Sequence, residues 1–415
     1  MNTTSTPQAN RRRLGLVAVL GTFCLLSTCI MADDQSTKLP SRIDVAKTQT
    51  NSPLIQVAIL LDTSGSMEGL VDQARIQIWN VVDQLSNASR KGQKSKLQIS
   101  VFQYGSSAQP KSRGYTKRVL DFSDDLDEVS RALFSLRLKG GKEFCGEAIR
   151  QACDDLNWNP TAAYRAIFIA GNEAFDQGET TFASVLPRLS QQNILVNTIY
   201  CKWKKAKPTE PAQWSYAANF AAGSYAMIDH NKSVREPMTP FDDEFRKLNR
   251  RMNESFIWYG KDSKQHRSNQ IAQDKNAQRM SNSTFAKRMS AKIGHLYKHV
   301  HSDLVDAIQH GQIDLKKMPV KKMPESLQKM SAENREKFVK SKIAERELVR
   351  REMATLIGKR QAWLNKKMSE SIRATVGSNG AKLNTDSWGD AFASAIAEQL
   401  RDAGFSNTKV KFAKR

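Results

Sequence analysis

The stretch that most constrains the fold is Leu54-Ile55-Gln56-Val57-Ala58-Ile59-Leu60-Leu61, which runs without a break into Asp62-Thr63-Ser64-Gly65-Ser66-Met67. A short, nearly continuous apolar run reads as a strand buried on both faces, the habit of parallel sheets covered by helices. The segment from Asp62 to Met67 has the opposite chemistry, with one carboxylate and two hydroxyls at alternate positions. From a tight turn, residues 62, 64 and 66 project toward one point, and Gly65 permits the bend between the two serines. A hard divalent cation such as Mg²⁺ takes about six oxygens and keeps several of them as water, so this set suits a partly open site. In isolation the same spacing is an ordinary turn with hydroxyl caps; its surroundings decide.

Those surroundings are further short apolar runs: Leu97 to Gly105, Ala166 to Glu173 and Ile194 to Cys201. Helical segments alternate with them, the first expected from Met67 to Leu85. The alternation predicts an α/β fold with a doubly wound, mainly parallel sheet. In such sheets ligands bind beyond the carboxyl ends of the strands, where Asp62 and Asn172 both fall.

Asp62-x-Ser64-x-Ser66 after an apolar strand resembles the metal-ion-dependent adhesion site of von Willebrand factor type A domains, and the strand series is similar to theirs. The stretch from Trp214 to Ile228, with Ala217-Ala218 and Gly223-Ser224-Tyr225-Ala226-Met227-Ile228, resembles their closing helix and strand. The resemblance runs from about Leu54 to Asp229, and the domain is expected over 54–230. It implies a Rossmann-like sheet, a divalent metal (Mg²⁺, Mn²⁺ or Ca²⁺) on Asp62, Ser64 and Ser66, and a protein partner that offers the metal an acidic side chain. In the family a threonine from a second loop and an aspartate from a third complete the site. Here the third loop carries Asn172, whose amide keeps an oxygen but removes a negative charge, which weakens cation binding. The second loop, Gly140-Gly141-Lys142-Glu143-Phe144-Cys145-Gly146, has no threonine; either Glu143 substitutes as a charged ligand or the position is lost. No nucleophile elbow, phosphate-cradling glycine loop or catalytic Cys/His pair is recognisable, so a binding protein and not an enzyme is expected.

The chain of 415 residues exceeds one ordinary core. Arg11-Arg12-Arg13, the apolar run Leu14 to Met31 and Ala32-Asp33-Asp34 read as a secretory signal peptide over 1–32, followed by a polar linker over 33–53. Cleavage after Ala32, lipidation at Cys29 in Leu26-Ser27-Thr28-Cys29, and retention as an anchor are the alternatives, each placing the protein in the periplasm or at the cell surface. In that compartment disulfides are permitted. Cys145 and Cys153 on one helix would stand roughly 12 Å apart, too far to pair. Cys201 ends a strand on the side of the loop bearing Cys145, so a Cys145–Cys201 disulfide is expected, with three buried thiols as the other reading.

Beyond His230 the strand patterns end. Residues 231–415 are predicted to be helical and hold most of the net charge of +22, with helices over Thr284 to His310, Ser331 to Thr375 (charged and coiled-coil-like, Ser331 as N-cap) and Ser387 to Ala403. This half also resembles the extension of a group of secreted bacterial proteins with the same domain, in Thr239-Pro240-Phe241-Asp242-Asp243, His295 to Lys298 and Ser302 to Asp306. Charge alone attracts any polyanion, but no nucleic-acid motif accompanies it, so anionic envelope surfaces or an acidic partner are the expected targets. His295 and His299 stand four apart, yet Leu296 replaces the glutamate that a zinc hydrolase helix requires. A competing reading makes the chain an envelope scaffold in which the metal loop is vestigial and the basic helices bind.

Overall fold

A computed structural model describes residues 52–204, 206–229, 231, 237–375 and 388–406. The expected signal segment with Cys29, and the linker up to residue 51, lie outside the described residues. Along the chain run β1 (Leu54–Asp62), α1 (Glu68–Leu85), the hairpin β2 (Ser89–Arg90) and β3 (Gln93–Lys94), β4 (Lys96–Tyr104), β5 (Lys117–Ser123), α2 (Leu126–Ser135), α3 (Cys145–Asp155), β6 (Tyr164–Gly171), α4 (Phe182–Gln191), β7 (Leu195–Cys201), α5 (Thr209–Phe220) and β8 (Tyr225–Ile228). After β8 come α6 (Asp242–Glu254), α7 (Ser263–Met280), α8 (Asn282–Ile293), α9 (Leu304–Gln309), α10 (Glu325–Gln328), α11 (Ala332–Thr375), α12 (Trp388–Asp402) and β9 (Phe405–Ser406).

The main sheet has the order β5-β4-β1-β6-β7-β8, parallel except where β5 runs against β4. The chain therefore leaves β1 toward β4 on one side and returns to β6 on the other, which makes the carboxyl ends of β1 and β6 the switch point of the topology. The one polar residue inside β1, Gln56, is buried with its amide satisfied: it donates to Gln98 Oε1 (2.8 Å) and accepts from the Asn159 backbone N–H (2.8 Å).

Because side chains alternate across a strand, each strand feeds two cores. Ala58, Leu60, Ile167, Ile169 and Tyr200 pack with α3, α4 and α5, while Ile59, Leu61, Phe168, Ile199 and Cys201 pack with α1, α2 and α12. This alternation corrects the disulfide expectation. Cys145 lies on the first face and Cys201, next to Tyr200 in β7, on the second, so the sheet separates them. Cys145, Cys153 and Cys201 are three free, buried thiols.

The last helix returns to this sheet. Trp388, Phe392, Ile396 and Leu400 recur at intervals of four, forming one face of α12, and all are buried in the core shared with α1. Phe392 stacks on Phe168 with ring centroids 3.9 Å apart. A Cβ on Gly389 would stand 2.6 Å from Gln77 Cβ, so only glycine lets α12 lie this close to α1. Just after α12, β9 pairs beside β2.

Between β8 and α12 the helices build two smaller cores, one of Phe245, Leu248, Met252, Phe285, Met289 and Met353, the other around Ile257, Leu304, Leu327 and Val339. α11 starts one residue after Ser331, whose hydroxyl accepts from the Asn334 N–H at 3.2 Å. The helix expected over Thr284 to His310 is two: α8 stops at Gly294, and α9 begins at Leu304, capped by Asp303. Buried charge joins the parts. Arg288 pairs with Asp127 of α2 (2.7 Å) and Asp274 of α7 (2.6 Å), and Arg346 pairs with Asp303 and Asp306 at 2.5 and 2.7 Å. No helix among the described residues is long and apolar enough to cross a membrane.

Candidate metal centre

Asp62 ends β1 and is fully buried. Its Oδ1 accepts from the Ser64 N–H at 2.8 Å, which folds residues 62–64 into a turn. Thr63 is anchored away from the site, donating from N–H and hydroxyl to Tyr104 O at 2.9 and 3.0 Å. The Ser66 hydroxyl comes back toward β6, where Asn172 Nδ2 donates to it at 3.5 Å. Asn172 follows Gly171, the last residue of β6, and is buried.

Glu143 arrives from the loop before α3. That loop lies against the chain leaving β4: Ser107 N–H donates to Lys139 O and Gly140 O, and Lys139 N–H to Thr63 O. A Cβ on Gly141 would stand 2.6 Å from Gly105 O, so the glycine permits the approach that carries Glu143 to the site. Asp62, Ser64, Ser66, Glu143 and Asn172, singled out from sequence, are thus brought together at one point above the sheet.

Two residues that sequence reasoning passed over shape the point. Gly105, at φ +71°, leaves room that the Asp62 carboxylate and the Glu143 side chain fill: a Cβ there would stand 2.7 Å from Asp62 Oδ1 and 3.0 Å from Glu143 Cγ. Gly171 lets Tyr104 Oη reach across to Ala170 O (2.9 Å), with the Cys145 thiol 3.9 Å from the same hydroxyl. Their signal in the sequence is a glycine at the carboxyl end of each of the two strands that flank β1.

The electrostatics are those of a site short of positive charge. Burial pushes Asp62 up to about 8, held back by the Ser64 N–H and raised further by Glu143 and Glu173. Glu143 is pushed up to about 7, by burial and then by Glu173. Burial also raises Glu173. Two buried oxygens at this point, Asp62 Oδ2 and Asn172 Oδ1, have no hydrogen-bond donor. Buried acceptors are ordinarily satisfied, and a carboxylate more so. An oxygen-loving cation is the group that answers both features, since it takes lone pairs and offsets the clustered carboxylates. Asp62, Ser64 and Ser66 fit as its ligands, with Glu143 and Asn172 placed to touch it directly or through water.

A second group, Asp125, Asp127 and His299, has ligand-type atoms within 4.8 Å of one another. Its charges are already matched. Asp127 Oδ1 holds Arg288 at 2.7 Å, its Oδ2 accepts from Tyr297 at 2.7 Å, and the fully buried guanidinium would repel a cation. This group is an ion-pair junction between α2 and the helical region. His295, the other histidine of the sequence pair, faces Ser95 O at 3.0 Å.

Residues 56–208 match the family model of the von Willebrand factor type A domain. Similar solved structures include a von Willebrand factor type A protein from Catenulispora acidiphila, with 16% identity over 42% of this chain and 39% of that one and a TM-score of 0.32. The pilus adhesin SpaC from Lactobacillus rhamnosus GG is similar at 14% identity, over 44% of this chain and 28% of that one, TM-score 0.32. Proximal thread matrix protein 1 from the mussel byssus, with a zinc-occupied MIDAS motif, is similar at 10% identity over 44% and 43%, TM-score 0.30. The chain thus spans less than half the length of each of these three. No curated protein matches it.

Proposed function

We propose that this chain, which contains a von Willebrand factor type A domain over residues 56–208, is an exported interaction protein that captures a carboxylate of a partner protein through a divalent metal. The observation that carries the reading is the pair of donorless buried oxygens, Asp62 Oδ2 and Asn172 Oδ1, beside the raised carboxyls of Asp62 and Glu143. Ser64 and Ser66 supply neutral ligands. A site with few charged protein ligands leaves the metal electrophilic and able to accept a further carboxylate from outside. Asn172 lowers the protein's own negative charge still further, which weakens the grip on the metal and strengthens its pull on an acidic partner.

Calorimetric titration of Mg²⁺, Mn²⁺ and Ca²⁺ into the full chain and into Asp62→Ala tests the reading. Saturable binding that the variant loses supports it; wild-type heats that match the variant for all three ions sink it. Export is part of the reading, on the strength of Arg11-Arg12-Arg13 and the apolar run to Met31. The mass and location of the mature protein decide it: a chain beginning at Asp33, a lipid on Cys29 or an intact membrane-held chain agrees, and an intact cytosolic chain contradicts it.

A further inference from the structure

A cavity of about 830 Å³ opens far along the chain from the metal loop, between the turn leading into α7 and the segment that joins α9 to α10. Its volume falls in the range of small-molecule sites. The floor is apolar: half-buried Trp258 and Tyr259 form one wall, and Met318 and Met323 the other. The rim is cationic, with Lys261 and Lys264 on the first wall and Lys317, Lys321 and Lys322 on the second.

Two acids also line the cavity, so the lining charge is five lysines against Asp314 and Glu325. Both acids have lysine partners, Asp314 with Lys317 at 3.6 Å and Glu325 with Lys329 at 3.8 Å. Lys261, Lys264, Lys321 and Lys322 have no acidic partner among the described residues. Four unmatched ammonium groups around one cavity repel one another and attract anions into it, most strongly where low-dielectric walls focus the field.

The walls are already set. Trp258 stacks on Phe256 with centroids 5.1 Å apart and bridges to Asp303 through the backbone. Tyr259 N–H donates to Ser302 O at 2.9 Å, and its hydroxyl to Val300 O at 2.7 Å. Gly260, at φ +85°, turns the chain so that Lys261 and Lys264 follow at the rim. Opposite, Lys322 N–H donates to Pro319 O at 2.9 Å, and Met323 is rooted in the core around Leu327. A ligand entering here meets an ordered floor and pays ordering costs only in the lysine side chains.

We propose that this cavity binds a phosphorylated, ring-bearing small molecule. Phosphate brings up to two charges on one group and accepts from ammonium donors at any angle, which matches unpaired lysines on two facing walls. An aromatic and thioether floor buries a ring or an apolar body that inorganic anions lack. A lone carboxylate would offset only one of the four ammonium groups. The proposal is independent of the metal loop.

The test is calorimetric titration of the full-length Asp62→Ala chain in EDTA, which removes metal-borne phosphate binding, with ATP, fructose 1,6-bisphosphate, inorganic pyrophosphate and heparin as probes. Expected is single-site binding of ATP or the sugar bisphosphate about tenfold or more tighter than pyrophosphate, weakened at least about tenfold in both Lys261→Gln/Lys264→Gln and Lys321→Gln/Lys322→Gln. The tighter of the two organic probes tells a nucleotide source from a sugar source. These lysines are exposed, so the variants fold. Absence of binding at millimolar probe, equal affinity for pyrophosphate, binding of heparin alone, or lysine variants that bind like their parent each overturn the proposal.

Discussion

Tyr164, at the start of the central strand β6, donates a hydrogen bond of 2.6 Å to Gln399 of α12, 235 residues further along the chain. Gln399 also exchanges hydrogen bonds with Asn197 of β7 at 2.7 and 3.2 Å, and Asn197 Oδ1 accepts from the Ser224 N–H just before β8 at 2.8 Å. One buried amide cluster therefore ties three neighbouring strand starts to the last helix. Below it the Phe168 and Phe392 rings stack. The helical region leaves the sheet after β8 and comes back to finish one of its faces.

Phe392→Ala tests that packing. The ring is fully buried against the middle of the sheet, and truncations of this kind cost about 3–5 kcal/mol. Urea unfolding of the variant is expected to show that loss, with the metal loop destabilised along with the rest. A loss below about 1 kcal/mol would mean that α12 does not complete this core.

Legibility in the sequence tracks which physics is local. The parallel strands were readable because burial on both faces leaves unbroken apolar runs, as in Leu54 to Leu61. The metal loop was readable because its ligand types stand at fixed spacing beside a strand end. Glu143 was placed by type alone; the contact that brings it in depends on Gly141 lying against Gly105, a long-range approach that no local pattern encodes. The helix expected over Ser387 to Ala403 is present as α12, but no local pattern names the sheet face that buries it. The disulfide expectation failed because it used the end of β7 and ignored which face Cys201 takes. Gly294 ends α8 early, a break that composition between Thr284 and His310 did not outweigh.

Reductant is expected to leave stability unchanged. Cys145 and Cys201 are free and lie on opposite faces of the sheet, whereas removing a native disulfide typically costs about 2–5 kcal/mol. Melting curves with and without dithiothreitol should superimpose; a drop of several degrees would reinstate a bond.

Arg288→Met probes the junction between α2 and the helical region. It leaves Asp127 without its guanidinium partner and Asp274 with Lys292 alone, and breaking a buried pair from one side costs about 3–5 kcal/mol. Adding Asp127→Asn should return part of it, because the remaining buried charge is then gone. Chemical denaturation of the single and double variants measures the difference; a double variant no more stable than the single would place the loss in packing against Trp79, over which the guanidinium lies at 4.7 Å.

Asn172→Asp adds back the charge that the third loop lacks. With a cation present the expected effect is about tenfold tighter Mg²⁺ binding, the size of a single extra interaction of about 1.4 kcal/mol. Without a cation it adds a further carboxylate to a point where Asp62 and Glu143 are already held up to about 8 and 7, so the apo variant should melt lower than the wild type. Unchanged affinity and unchanged melting would show that position 172 does not face the metal.

The raised carboxyls also fix a pH dependence. Asp62 sits at about 8 in the folded chain, raised by burial and the neighbouring acids, against about 3.9 in an unfolded one. Between those values the folded state holds the extra proton, so stability from this residue is complete below about pH 4 and lost as pH rises through about 8. A cation needs the deprotonated form and thus competes with that proton. Mg²⁺ affinity is expected to climb as pH rises from about 6 to 8 and then level off, with proton release on binding in the same window. Titrations in two buffers of different ionisation heat read the released proton directly. Affinity that is flat across the window, with no proton released, would mean that the cation does not bind at Asp62.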